Sequence, residues 1–115
     1  MSRALARLAL VLSFAASFPA FAAEGNLEDG KIKVYTCTGC HGIPHYKNAY
    51  PHYNVPKIHN QNYAYLVAAL TGYKNGERSH PTMRAQGESM SEQDIADIAA
   101  YLSQPAPGHA AGGEK

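Results

Sequence analysis

Two thiols and an imidazole stand together at Cys37-Thr38-Gly39-Cys40-His41, and they are the only two cysteines in the chain. Cys-x-x-Cys-His is the attachment pattern of covalent haem in exported proteins. The spacing has a physical reason. Two intervening residues put both sulfurs on one side of a helical turn, where each can form a thioether with a vinyl group of one porphyrin, and the adjacent His41 then faces the iron as proximal ligand. Three other chemistries compete for the same residues. A zinc site needs four ligands, and His45, His52, His59 and His80 could contribute, but no recognised ligand spacing is visible. A thiol-disulfide oxidoreductase needs a strand before the motif and a βαβ pattern around it, and neither is present. A simple disulfide between Cys37 and Cys40 closes a tiny loop and stabilises little.

Export is read from residues 1–22. Arg3 and Arg7 precede an apolar run from Leu8 to Phe18, followed by the small-x-small pattern Ala20-Phe21-Ala22 that a signal peptidase cuts. The apolar run is about half of what a membrane span needs and no second one follows, so an exported, periplasmic product with no membrane span is expected. Subtracting these 22 residues from 115 leaves 93, the size of one small domain. The expected organisation is a signal peptide at 1–22, one domain at 23–104 and a flexible tail at 105–115.

All three Phe residues lie in the signal segment, so the remainder has eight Tyr as its only large aromatics. Leu, Ile, Val and Phe together make up 12 of the 93 residues, roughly 13%, below the ~20% under which side-chain burial alone struggles to hold a fold. Charge is not the cause: eight Lys or Arg oppose nine Asp or Glu, a formal charge of −1, which also argues against a nucleic-acid partner. A thin core in a short domain calls for a supplement. A porphyrin fixed to two sulfurs supplies the missing apolar centre.

Beyond the Cys motif, the chain carries Pro56-x-Ile58-x-x-Gln61 with Tyr65-Leu66, then Leu70-x-x-Tyr73-x-x-Gly76-x-Arg78, then Ser91-x-x-Asp94-Ile95-Ala96 running to Tyr101-Leu102. In order and spacing these segments resemble the class I c-type cytochromes over about residues 25–104, in particular the small periplasmic monohaem proteins and single domains of dihaem ones. The resemblance implies an all-α cytochrome c fold with three main helices around one haem c, held through Cys37 and Cys40. It also implies that Gly30 crosses an aromatic of the last helix, here Tyr101, and that a proline carbonyl, assigned to Pro56, accepts the Nδ1–H of the proximal His.

Met83 and Met90 are the methionines available as sixth ligand. Ser91 with Asp94 three positions later reads as a helix start, and Met90 and Ile95 then form the hydrophobic staple around that cap, so Met90 has a structural task. Met83 falls in 79–88, where Pro81, Gly87 and weak periodicity read as a loop able to present one side chain to a ring. The resemblance agrees, since the family's ligand lies seven residues before the apolar residue of this capping pattern, which is Met83. His80 is the main competitor, and an open sixth position is the remaining case.

Helices are expected at 27–36, with Ile32 and Val34 towards an apolar side, at 61–74, with Tyr63, Leu66, Val67 and Leu70 on one stripe, and at 91–103, with Ile95, Ile98, Ala99 and Leu102 buried. Between them, Ile43 to His59 is rich in His, Tyr and Pro where relatives are glycine-rich, and it reads as a semi-rigid wall over one face of the ring. Tyr73 and Arg78 are candidates for holding the propionates, or else surface residues at a helix end. Lys31, Lys33, Lys47 and Lys57 are candidates for a docking rim.

The functional expectation is a monomeric, non-enzymatic carrier of single electrons between redox partner proteins, such as a dehydrogenase and a terminal oxidase. Two alternatives stand beside it: a fixed electron-transfer subunit of a periplasmic dehydrogenase, and a ligand-binding or peroxidase-like haem protein with an open sixth position.

Overall fold

The computed structural model describes residues 23–49 and 52–107. The expected signal segment, residues 50–51 and the expected tail from 108 onward lie outside them. Among the described residues five helices follow one another: α1 Leu27–Lys33, α2 Tyr35–His41, α3 Tyr63–Asn75, α4 Pro81–Glu88 and α5 Glu92–Leu102. Among the described residues the only β pairing is an isolated antiparallel bridge between Lys47 and Asn54, and no helix is long and apolar enough to cross a membrane. The chain is all-α, as the sequence leads one to expect.

Local chemistry explains where the helices begin. Asn26 caps α1 by accepting from the N–H groups of Glu28 (2.9 Å) and Asp29 (3.2 Å). Asn62 caps α3 through the N–H of Tyr65 at 3.0 Å, and α3 ends at Gly76, whose left-handed φ of 80° suits a residue without Cβ. At α5, Ser91 Oγ accepts from Asp94 N at 3.0 Å while Asp94 Oδ2 accepts from Ser91 N at 2.9 Å, a complete capping box.

Two expectations change. The first helix is broken at Val34 into α1 and α2, so the Cys motif occupies a separate helix. The segment at 79–88, read as a loop, contains α4: Pro81 sits in its first turn, where a missing N–H costs nothing, and Gly87 is buried against α3 rather than breaking the helix.

α1 crosses α5 at very short range. A Cβ on Gly30 would lie 2.0 Å from the Asp97 carbonyl oxygen and 2.9 Å from Tyr101 Cβ, and one on Gly25 would lie 2.2 Å from the Ala96 carbonyl oxygen. Asp97, only 1% exposed, closes this crossing. Its Oδ1 accepts from Asn26 N at 2.8 Å and from Gln93 Nε2 at 2.7 Å, and its Oδ2 accepts from Lys33 Nζ, which also pairs with Asp94 at 2.8 Å. These bonds hold the Asp94 carboxyl well below the usual carboxylate range, with the Lys33 ammonium as leading cause, and lower that of Asp97, with the Asn26 N–H as leading cause. The two carboxylates in turn raise Lys33 above the usual lysine value.

The apolar cluster consists of Val34, Leu66, Leu70, Met90, Ile95, Ile98, Ala99 and Leu102. Among the described residues Asp97 is the largest side chain below 2% exposure, so no aromatic there is fully buried. Ile32, expected near the apolar side, is 73% exposed and Tyr63 is also exposed. α1 turns Gly30, Lys33 and Val34, spaced i, i+3 and i+4, towards α5 and the core, which leaves Ile32 on the outer face.

Candidate haem site

The core is the wall of a cavity. Leu66, Leu70, Met90, Ile98 and Leu102, five of the eight cluster residues, line an open space of about 450 Å³, within the range of ~300–1,000 Å³ typical of cofactor sites. Cys37, Cys40 and His41 reach this space from α2, Pro56 from the loop that follows, Tyr73 from α3, Arg78 from the turn after it and Met83 from α4. All seven candidate site residues thus line one cavity. The donor set fits a haem: two thiols three residues apart on one helix, an imidazole, a thioether, a largely apolar lining and a guanidinium.

Cys37 is half-buried and Cys40 exposed. Burial raises the Cys37 thiol above its ordinary pKa, so before attachment it is a neutral thiol. His41, the last residue of α2, has Nδ1 at 2.7 Å from the Pro56 carbonyl oxygen. A carbonyl only accepts, so Nδ1 carries the hydrogen and Nε2 keeps its lone pair, the tautomer that a metal requires.

The Arg78 guanidinium lies 4.6 Å from the Tyr73 ring centroid, and its Nη1 is 3.4 Å from the Tyr65 hydroxyl. Bonding to Tyr65 raises Arg78 further above its already high pKa, so a full cation stands at the cavity wall. Tyr65 is a site residue that sequence reasoning missed. The signal was available, because Tyr65, Ala69 and Tyr73 repeat every four residues along α3 and all line the cavity.

His80 lines the same cavity, with its imidazole engaged in a hydrogen bond. It caps α4, its Nδ1 accepting the N–H of Met83 at 3.2 Å. Met90 is buried in the core, and its backbone oxygen accepts from Lys74 Nζ. His45 and His52 are exposed and do not line the cavity, and no group of three or more His, Cys, Asp or Glu able to hold a metal ion exists among the described residues. Of the four docking-rim lysines, Lys33 is committed to Asp94 and Asp97, while Lys31, Lys47 and Lys57 are exposed.

Fold and site together define a small helical domain whose core is completed by a tetrapyrrole tied to a Cys-x-x-Cys-His helix. The sequence profile of the family described as Cytochrome c matches residues 27–105, and the chain belongs to that family. It is similar to cytochrome c-554(548) of Halomonas halodenitrificans, 35% identical over 82 residues that cover 69% of this chain and 95% of that protein. It is also similar to cytochrome c4 of Pseudomonas aeruginosa, 35% identical over 81 residues covering 70% of this chain. The match spans 39% of that longer protein. The cytochrome subunit of sulfide dehydrogenase of Chlorobaculum tepidum is 29% identical over 73 residues, 64% of this chain and 63% of the subunit. In keeping with its family and its two cysteines, the protein carries one haem c, bound covalently through Cys37 and Cys40.

Proposed function

We propose that this protein is a periplasmic monohaem cytochrome c that carries single electrons between redox partner proteins, and that His41 and Met83 are the residues that would hold the haem iron. The haem supplies the one-electron couple, and the protein makes no bond in a substrate. The observation that carries the reading is the convergence of α2 and α4 on one cavity: His41, its tautomer fixed by Pro56, and the Met83 thioether both line it. A thioether favours ferrous iron relative to a second imidazole and raises the potential, which suits a carrier late in a respiratory chain. Tyr73 and Arg78 supply a hydroxyl and a fixed cation for the haem's acidic groups, which would otherwise lie unpaired. Residues 23–104 form the carrier domain, behind a cleaved signal at 1–22 and ahead of a tail at 105–115.

Carbon monoxide tests this reading against an enzyme or sensor with an open sixth position. The reduced protein is expected to refuse it at neutral pH and, when oxidised, to show the weak far-red sulfur-to-iron band. Ready binding together with absence of that band would remove Met83 from the iron. The likeness to a dehydrogenase's cytochrome subunit supports a second reading, a fixed subunit. Gel filtration of native periplasm separates the two, since a free carrier elutes alone and a subunit elutes with its enzyme.

A further inference from the structure

The helix that carries Met83 begins in an unusual way. α4 has eight residues and starts at Pro81. Its cap is neither Asn, Asp, Ser nor Thr, the residues that ordinarily satisfy the first free N–H groups of a helix. His80 does this instead, with Nδ1 accepting the N–H of Met83 at 3.2 Å and its carbonyl accepting from Arg84 N at 2.8 Å.

The imidazole is itself held. The Tyr53 ring meets it edge-on at 4.5 Å between centroids and the Tyr73 ring at 6.1 Å, with interplanar angles of 79° and 75°. Tyr53 belongs to the His, Tyr and Pro-rich segment. Its backbone oxygen accepts from Asn48 N and its hydroxyl from Asn48 Nδ2, both at 2.9 Å, and the same hydroxyl lies 3.5 Å from Thr82 Oγ1 in the first turn of α4.

We propose that His80 is a positioning residue for Met83: braced by Tyr53 and Tyr73, it caps α4 through Nδ1, thereby presenting Met83 to the cavity and withdrawing itself from the iron. An amide N–H can only donate, so Nδ1 must offer its lone pair there, and the neutral ring then carries its hydrogen on Nε2. Neither ring nitrogen has a lone pair left for a metal. The cap therefore selects between the two donors nearest each other in this part of the chain, the Met83 sulfur and the His80 imidazole. It also gives the segment around Tyr53 a task, that of a buttress for the ligand helix.

The inference rests on Met83 ligation, and the experiment separates the two. Wild type, H80A, H80N, Y53L and M83A holoproteins are compared for the far-red sulfur-to-iron band and for carbon monoxide occupancy at one fixed gas concentration. H80A is expected to raise the ligand-off fraction about fivefold, the equilibrium worth of a typical N-cap. H80N, which restores a short capping acceptor, is expected to return it to within about twofold of wild type. Y53L leaves the cap in place and removes the nearer of its two braces, so a smaller rise in the same direction is expected. An intact band and unchanged occupancy in both H80A and Y53L would overturn the positioning role while leaving ligation by Met83 standing. A wild type that lacks the band and takes up gas as M83A does would overturn both.

Discussion

Replacing Gly30 with Ala sets two effects of opposite sign against each other. Within a helix, Ala is favoured over Gly by ~1 kcal/mol. At this position, however, the added Cβ would lie 2.0 Å from the Asp97 carbonyl oxygen and 2.7 Å from its carbon, the first of these 1.4 Å short of the 3.4 Å at which ordinary contact begins. The obstacle is helix backbone, which cannot swing aside as a side chain can, so α1 and α5 must separate. Separation lengthens the bonds from Asn26 N and Lys33 Nζ to Asp97, a carboxylate 1% exposed that has no access to water as a substitute. Overpacking of this kind costs about 1–3 kcal/mol, and weakening a charge-assisted bond adds about 1–2 kcal/mol. After the gain in propensity, a net loss of about 1–4 kcal/mol remains, and its midpoint lowers the melting temperature of a domain of this size by roughly 10–20 °C. Thermal and denaturant unfolding of the oxidised holoprotein, followed by far-UV circular dichroism, measures it. A variant as stable as wild type, or more so, is what propensity alone would produce and would refute the close crossing.

Acid should act on the same crossing. Asp94 and Asp97 are held below the ordinary value of 3.8 in the folded chain. The unfolded chain therefore takes up protons first, and the stability these groups contribute is complete above about pH 4 and lost as pH falls through their folded values. An Asp97→Asn variant should be less stable at neutral pH and show a shallower loss below pH 4 in acid titrations of the unfolding midpoint. Lys33 titrates with the opposite sign: its contribution is complete below the ordinary lysine value of 10.5 and is lost as pH rises from there through its raised folded value, so Lys33→Met should flatten the alkaline limb of the same plot. Ser91→Ala removes the acceptor for Asp94 N and should cost ~1 kcal/mol by denaturant unfolding, whereas Ser89→Ala in the preceding turn leaves the capping box intact and should cost less.

Much of the fold was written in short-range signals. Ser91 and Asp94 announced α5, and the buried Ile95, Ile98, Ala99 and Leu102 follow from a spacing that any apolar helix face must obey. Asn75-Gly76 marked the end of α3 because the chain needs a left-handed residue there. α4 was hidden because it turns few apolar residues inward, and because its Pro and Gly, ordinarily breakers, sit in the first turn and at a close helix contact. Nothing local signals the break at Val34. The Cys, His and Met side chains of the site could be selected by type, since so few residues offer that chemistry. The partners of His80 could not, because Tyr53 reaches it from 27 positions away through a loop whose path no periodicity encodes.

The central claim is that a haem joined to Cys37 and Cys40 completes a core that the polypeptide cannot build alone. Its most direct test is the far-UV circular dichroism spectrum of the C37A/C40A chain beside that of the matured wild type. The variant is expected to be haemless and largely unfolded, while the wild type is helical and keeps its colour after acid denaturation and extraction. A colourless chain with full helical signal and a cooperative melting transition would contradict it.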